Sequence, residues 1–166
     1  MKRLRFITMI IVFLLICANG THAQPMQTKL NQVELMKQFL GTWKGEIGKD
    51  TIIIGDNTPF GTGMDCNIQI ITKNKILDSA KQLYGYDKKY DKFIIAELKK
   101  SSPVIELCVT WFTSANTGEM ILFQDISNPE NAILKWKFEF KSPDMIIQTA
   151  LKNNKAYKVV TTTRVK

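Results

Sequence analysis

Histidine and arginine are scarce in this sequence of 166 residues, which contains one histidine, His22, and three arginines. Beyond His22 the chain has no imidazole to act as the base of a Ser–His or Cys–His nucleophile pair. The same absence excludes histidine as a ligand in a common catalytic zinc site. We therefore predict that the protein is not an enzyme and that it holds neither a metal nor a cofactor.

The three arginines lie at the two ends of the chain, Arg3 and Arg5 at the start and Arg164 near the end. Phosphate and nucleic-acid sites favour the bidentate guanidinium fork, which the rest of the chain lacks. Lysines are numerous but spread out, and no basic run is longer than two residues. This distribution is typical of solvated outer faces, so we expect no nucleic-acid partner.

The N-terminal residues have the three parts of an export signal. Residues 2–5 contain one lysine and two arginines, and residues 6–17 form an uncharged stretch rich in Ile, Leu and Phe. Residues 21–23 then place small side chains at the −3 and −1 positions of a cleavage site. An apolar stretch of this length is too short to span a membrane. We predict a signal peptide over residues 1–23.

Removal of that signal leaves residues 24–166, a length that suits a single domain. We expect this domain in the periplasm or outside the cell. Cys17 suggests lipoprotein processing, but that processing requires a small residue before the cysteine, and Ile16 is large. We therefore expect no lipid anchor. No later apolar stretch approaches the length of a transmembrane segment.

Two cysteines remain after the predicted signal, Cys66 and Cys108. Strand alternation groups Cys66 with Ile68 and Ile70, which predicts an inward thiol, and it places Cys108 on the outward face of its own strand. Residues on opposed faces do not reach disulfide geometry without distortion of the backbone. We favour two unpaired thiols, with a disulfide as the alternative that an oxidising compartment allows.

One helix is predicted, over residues 29–40. Leu30, Val33, Met36 and Leu40 recur at steps of three and four residues and form a single apolar stripe. The glycine that follows is a common helix stop. We expect this short helix to pack against the strands that come after it.

The rest of the chain alternates apolar segments with turn signals at intervals of about eight to twelve residues. Leu134, Trp136, Phe138 and Phe140 share one face of a strand whose other face is charged. The pattern predicts an all-β fold of eight to ten antiparallel strands. An up-and-down β-barrel is favoured over a two-sheet sandwich, because sequential tight turns leave no long crossovers and closure removes exposed sheet edges.

Aromatic residues are frequent on the predicted strands. A barrel interior is either filled by side chains or encloses one small ligand. An aromatic lining with a few polar groups is typical of cavities that hold small apolar molecules. The candidate lining residues are Tyr84, Tyr86, Trp111, Phe123, Trp136, Phe138 and Phe140. The alternative is an interior filled by these same side chains.

Two segments resemble a known family. The sequence FLGTWKGE at residues 39–46 follows the predicted helix, and LYGYD at residues 83–87 precedes Phe93. Together they resemble an uncharacterised lipocalin-like family of exported bacterial proteins, and the resemblance covers most of residues 30–166. It implies a lipocalin-like, calycin-type barrel.

The same resemblance implies how the barrel closes. In the broader lipocalin-like group, a tryptophan at the start of the first strand packs under the barrel floor against an arginine of the last strand. Trp43, two residues after Gly41, and Arg164 match these positions. A planar guanidinium stacks on an indole while its donors reach backbone carbonyls, which a lysine does not reproduce. We predict that Gly41, Trp43 and Arg164 close the barrel and have a structural role.

The resemblance also marks a difference. The nitrobindins, one lipocalin-like branch, bind haem through a histidine, and residues 24–166 contain none. The favoured interpretation is an exported barrel that binds a small apolar or amphipathic molecule without transforming it. One alternative is a filled barrel that serves as a structural or protein-interaction module. Another is a hydrolase that uses carboxylates such as Asp78 or Glu106, provided that two of them converge.

Overall fold

The computed structural model describes residues 29–166, so the predicted signal peptide at residues 1–23 lies outside the described part of the chain. The expectation about lipidation at Cys17 also lies outside it. Within residues 29–166, one short helix is followed by ten strands.

Helix α1 spans Gln32–Met36 and continues as a 3₁₀ turn over Lys37–Phe39. It is shorter than the predicted range of 29–40. Its start is fixed by Asn31, whose side chain accepts a hydrogen bond from the Glu34 N–H at 3.2 Å. Its end tightens to 3₁₀ geometry because the chain must turn directly into the first strand.

The ten strands form one closed antiparallel barrel. Each strand pairs with its neighbours in sequence, and the first also pairs with the last. This arrangement confirms the predicted up-and-down barrel and excludes the two-sheet sandwich. The strands are β1 Gly41–Gly48, β2 Thr51–Phe60, β3 Gly63–Thr72, β4 Lys75–Asp87, β5 Lys92–Lys99, β6 Ile105–Phe112, β7 Thr117–Leu122, β8 Leu134–Ser142, β9 Met145–Lys152 and β10 Lys155–Arg164.

Successive turns lie at opposite ends of the barrel, because neighbouring strands run antiparallel. We call the end that contains α1 and the turns after β2, β4, β6 and β8 the floor end. The opposite, mouth end contains the turns after β1, β3, β5 and β9 and the longer connection at residues 123–133. Tight turns at this end use left-handed backbone at Asp50, Asn74 and Asn154, as two-residue hairpins require.

The floor end is packed with aromatic side chains. Phe39, at the end of the 3₁₀ turn, lies edge-on to Phe138 and Phe140, with ring centroids 5.1 and 4.9 Å away. Phe112 and Trp43 belong to the same buried cluster. Edge-to-face packing of this kind adds about 0.5–1.5 kcal/mol per pair beyond the burial of the rings. The cluster closes the barrel beneath α1.

A buried glutamine holds α1 against the barrel. Gln32 Nε2 donates to the carbonyl of Phe112 at 3.0 Å, and Gln32 Oε1 accepts from the Phe112 N–H at 2.8 Å. The side-chain amide therefore takes the place of a peptide group from a neighbouring strand at the end of β6. Gln32 is 6% exposed, so water does not replace these two bonds readily.

The connection at residues 123–133 covers part of the outer wall, where Val109, Ile121 and Ala132 form a second buried cluster. Strand β6 is consequently buried on both faces. Cys108 shares its face with Thr110, which lines the barrel interior, so the predicted outward orientation of Cys108 is wrong. The prediction failed because apolar residues occupy both faces of this strand.

Cys66 and Cys108 are both buried, free thiols. They lie on β3 and β6, which β4 and β5 separate in the barrel wall. A disulfide requires Cα atoms about 4.4–6.8 Å apart, so two intervening strands preclude one. The structure therefore has the unpaired thiols that the sequence favours, for a different geometric reason.

Candidate ligand cavity

A cavity of about 420 Å³ lies inside the barrel above the aromatic floor. All ten strands contribute to its lining, together with Phe39 from the 3₁₀ turn. The interior is therefore not filled by its own side chains. The aliphatic part of the lining consists of Ile47, Ile53, Ile68, Ile70, Ile95, Ile146 and Val160.

The seven predicted lining residues separate into three groups. Tyr84, Trp136 and Phe138 line the cavity. Tyr86 and Phe140 lie lower and pack within the aromatic floor. Strand alternation predicted that these five residues share the inward face, but it did not show where along the barrel the packed floor ends and the cavity begins.

Trp111 and Phe123 form the third group and lie on the outer wall, so their prediction as lining residues is wrong. Both pack against the outer cluster that contains Val109. Trp111 follows the inward residue Thr110 and must therefore face outward, where the Nζ atom of Lys92 lies 3.6 Å from its ring centroid. Phe123 lies just beyond the end of β7, in a 3₁₀ turn.

A row of polar side chains crosses one part of the cavity lining. Asn57, Cys66, Gln82 and Glu97 are register partners on β2, β3, β4 and β5, so they form a continuous row across four strands. The hydroxyl of Tyr84 donates to Gln82 Oε1 at 2.7 Å, and Gln82 Nε2 donates to Glu97. Apolar side chains such as Ile53, Ile68 and Ile95 border this row on the same strands, and strands β8 to β10 across the barrel present both apolar and polar side chains. The cavity is therefore amphipathic.

Glu97, the last residue of this row, on β5, forms an ion pair with a lysine. Lys99 Nζ lies 3.1 Å from Glu97 Oε1 and 2.8 Å from Glu106 Oε2. The hydrogen bond to Glu106, together with the contact to Glu97, raises the pKa of Lys99. Both carboxylates are thus held by one ammonium group and are not arranged as a free acid and base.

Asp78, the other acid considered for catalysis, is not part of the cavity lining. Ser101 donates a hydrogen bond to its carboxylate at 2.7 Å, and the Ser79 N–H donates another at 2.8 Å. The hydrogen bond from Ser101 is the largest cause that lowers the pKa of Asp78, and the bond from Ser79 adds to it. The carboxylate links β4 to the loop after β5 and has the contacts of a turn-stabilising acid.

Two polar atoms of the lining have no hydrogen-bond partner among residues 29–166. Asn57 Nδ2 donates to the carbonyl of Phe39 at 2.7 Å, which leaves its Oδ1 as an acceptor without a donor. Thr162 Oγ1 is also unpartnered. Asn57 is 9% exposed and Thr162 is 6% exposed. A buried polar atom left in this way costs about 1–3 kcal/mol, so both atoms favour a polar molecule inside the cavity.

The two buried thiols and the Tyr84 hydroxyl stay protonated at physiological pH. Burial raises the pKa of the Cys66 thiol to about 12, and the nearby carboxylates add to the shift. Burial also raises the pKa of Cys108 to about 11, and it raises the pKa of the Tyr84 hydroxyl. A buried thiol of this kind is a poor nucleophile, because the reactive species is the thiolate.

The floor is closed by Trp43 and Arg164, which are register partners on β1 and β10. The Cζ atom of Arg164 lies 4.3 Å from the centroid of the Trp43 ring. Its Nη2 donates to the carbonyls of Gln38 and Pro143, each at 3.0 Å, and its Nη1 donates to that of Leu40. The predicted contact is present, and the guanidinium fork joins the last strand to the segment before β1. Gly41 begins β1 directly beside it.

No family model matches the chain, and no curated protein shows a significant match to it. The described part of the chain contains no helix that is long and apolar enough to cross a membrane. Residues 29–166 also contain no group of three or more His, Cys, Asp or Glu side chains that could hold a metal ion. The function must therefore be argued from the geometry of the barrel.

Proposed function

We propose that this protein is an exported, lipocalin-like carrier that binds a small amphipathic molecule in its barrel without transforming it. The observation that supports the proposal is the amphipathic cavity of about 420 Å³. Cavities that bind small molecules measure about 300–1,000 Å³ and combine an apolar lining with a few fixed polar groups. The barrel interior has both properties.

The distribution of polar groups favours an amphipathic ligand over a purely apolar one. An apolar molecule would leave the Oδ1 atom of Asn57 and the Oγ1 atom of Thr162 without hydrogen bonds. A ligand with a hydroxyl or amide donor would satisfy Asn57 while its apolar body contacts the aliphatic side chains around the polar row. Tyr84 and Gln82 extend the polar surface that such a head group would meet.

The absence of catalysis is the second part of the proposal. It is supported by the protonated state of Cys66 and Cys108, whose pKa values are raised to about 12 and about 11. It is also supported by the pairing of Glu97 with Lys99, since a catalytic carboxylate must be free to exchange a proton. No imidazole is encoded after His22.

Export is the third part. It is supported by the basic residues 2–5, the uncharged residues 6–17 and the small residues at 21 and 23. The lipocalin-like assignment is supported by the Gly41 to Trp43 segment and by the Trp43–Arg164 contact at the floor. A periplasmic or extracellular carrier is consistent with these features.

Native mass spectrometry of the protein purified from its own host tests the carrier function. We expect a fraction of the protein to carry an additional small molecule, which denaturation releases. The released molecule should contain an apolar body and at least one hydrogen-bond donor. Protein that is consistently free of any bound species would contradict the proposal.

A protein-interaction module is the second candidate, and the outer wall provides the observation that favours it. Leu83, Leu98, Ile105 and Leu107 are each 45–60% exposed. They face outward on β4, β5 and β6, where Leu83 and Leu107 lie on the same register row and Leu98 pairs with Ile105. A contiguous apolar patch of this kind is typical of interaction surfaces. Retention of a specific partner from envelope extracts, lost when Leu98 is changed to Ser, would favour this candidate.

A further inference from the structure

The mouth end carries six exposed lysines that form no ion pair with any carboxylate of the described chain. They come from four of the five connections at this end, so they are distributed around the mouth. The five connections of this end contain three acids: Asp50 lies beside Lys49, whereas Asp125 and Glu130 lie in the connection that has no lysine. The six residues, which we call the mouth lysines, are Lys49, Lys73, Lys75, Lys100, Lys152 and Lys155.

At the floor end, several basic side chains are paired with carboxylates. Lys29 pairs with Asp91 at 3.2 Å, and Lys37 pairs with Glu34 at 2.7 Å. The guanidinium of Arg164 is occupied by carbonyls and by a carboxylate at 3.3 Å. The floor end also keeps unpaired lysines, Lys88 and Lys89, but these lie together in the single turn after β4, whereas the unpaired lysines of the mouth are distributed over four connections.

Exposed apolar side chains lie beside the mouth lysines. Ile76 and Leu77 follow Lys75 directly and are 60% and 71% exposed. The loop after β5 places further apolar side chains near Lys100, and the start of β10 does so near Lys155. These side chains are Val104, Ile105 and Tyr157, and all are at least 59% exposed.

We propose that the mouth end docks on the surface of an anionic lipid bilayer. The mouth lysines would contact the phosphate headgroups, and the neighbouring apolar side chains would enter the interfacial region. Each lysine close to an anionic bilayer contributes about 1 kcal/mol of attraction, which falls off within a Debye length. Apolar side chains among cations at the tips of hairpins distinguish a lipid surface from a nucleic acid, which offers them no apolar phase.

Docking in this orientation places the end of the barrel opposite the packed aromatic floor against the bilayer. If the proposed carrier function holds, an amphipathic ligand then moves between bilayer and barrel without crossing bulk water. The docking itself does not require the cavity to be occupied. Vesicle binding and ligand content are therefore separate readouts, and one proposal can fail while the other stands.

Vesicle co-sedimentation of the full chain tests the docking. Vesicles of phosphatidylcholine alone are compared with vesicles that also contain phosphatidylglycerol. The mouth variant carries Lys73→Glu and Lys75→Glu, which flank the turn after β3. The matched control carries Lys88→Glu and Lys89→Glu, which change the net charge equally in the turn after β4, at the floor end.

We expect the wild-type chain to bind the anionic vesicles more tightly than the neutral ones, and added salt to weaken this binding. The mouth variant should lose about tenfold or more in affinity for anionic vesicles, while the control should change by less than about threefold. Equal losses in both variants would overturn the proposal, as would equal wild-type binding to neutral and anionic vesicles. If the first variant does not fold, Lys152→Glu with Lys155→Glu provides the same comparison on another hairpin.

The apolar part of the surface is tested with Ile76→Ser and Leu77→Ser together. This variant should bind anionic vesicles at least about threefold more weakly, because it keeps every lysine but loses the interfacial anchors. Its binding to an RNA oligonucleotide, a soluble polyanion, should not change. The contrary result is that the variant binds vesicles as the wild type does, with RNA bound as tightly as vesicles. In that case the mouth lysines would form a site for soluble polyanions, and the proposal would be overturned.

Discussion

Gly41 lies so close to Arg164 that a Cβ atom at this position would come within 2.8 Å of the guanidinium Nη1 atom. Its φ angle is +102°, a backbone conformation that L side chains rarely adopt. Glycine is therefore required here for two separate reasons. The close approach lets the guanidinium reach the backbone of the segment before β1 and stack on Trp43.

Replacement of this glycine should be costly. Gly41→Ala is expected to lower the free energy of unfolding by about 2 kcal/mol or more, since it adds a clash to the backbone strain. Gly61→Ala is the matched control, because Gly61 also has a positive φ, +59°, but a Cβ atom there would meet no other atom within 4 Å. Urea unfolding of both variants measures the difference. Equal costs would show that the guanidinium imposes no steric demand at position 41.

The guanidinium itself should matter more than its charge. Arg164→Lys keeps the charge but loses the planar fork that reaches Gln38, Leu40 and Pro143, so we expect a loss of about 1–3 kcal/mol of stability. Asp144→Asn removes only exposed ion pairs, with Arg164 at 3.3 Å and with Lys166 at 3.8 Å, and should cost less than about 1 kcal/mol. Thermal and urea unfolding report both values. A lysine variant as stable as the wild type would contradict the structural role.

Gln32 should prove necessary for the attachment of α1. Gln32→Leu leaves the N–H and the carbonyl of Phe112 without their partners, and we expect a loss of about 1–3 kcal/mol. Gln38→Leu is the control, since its amide makes one exposed bond, to the Ala115 carbonyl at 2.9 Å. It should cost less than about 1 kcal/mol. Hydrogen exchange at the Phe112 amide should increase in the first variant only.

The raised pKa values of the two buried thiols predict that the protein becomes less stable in alkaline solution. Their pKa values are raised from 9.0 to about 12 for Cys66 and about 11 for Cys108. Above pH 9 the unfolded chain releases thiol protons that the folded protein retains, so the free energy of unfolding should fall as pH rises from 9 towards 12. Below pH 9 this contribution is fully present.

The comparison that isolates this effect uses a variant with Cys66→Ala and Cys108→Ala. Its free energy of unfolding should fall less steeply over the same pH range, because it lacks the two thiols while every other titratable residue is present in both proteins. Urea unfolding at a series of pH values measures the two slopes. Identical slopes would mean that the thiols are not protected by burial.

The overall architecture could be predicted from the sequence because it depends on local signals. Turn residues at regular intervals limit the strand count to eight to ten, and alternation within strands predicts the inward faces of Tyr84, Trp136 and Phe138. The outward residues Trp111 and Phe123 were misplaced because the segment over the outer wall also buries apolar side chains. Strand alternation does not distinguish a face buried in a barrel from one buried under a loop.

The polar row could be predicted only in part. Gln82 has the same strand parity as Tyr84, so its inward direction was readable from the sequence. Asn57 and Glu97 join it only through the register of β2 to β5, which depends on pairing between strands. The sequence could not predict that the Oδ1 atom of Asn57 lacks a hydrogen-bond donor, because this depends on how the surrounding residues pack.

Gly55 provides a way to test whether the cavity binds a small molecule. Gly55 lines the cavity, and a Cβ atom there would meet only Cys66 Sγ, at 3.9 Å, so a larger side chain can enter the cavity. Gly55→Leu should fill part of the space without loss of stability. Gly85→Leu is the matched control, because it adds the same side chain at an exposed position with no atom within 4 Å.

The measurement is fluorescence titration with N-phenyl-1-naphthylamine, a small probe with one N–H donor. We predict that Gly55→Leu weakens probe binding by about tenfold or more while its melting temperature stays at or above that of the wild type. Gly85→Leu should bind the probe as the wild type does. Equal affinity in all three proteins, or no binding by the wild type, would contradict the claim that the barrel interior is a ligand site.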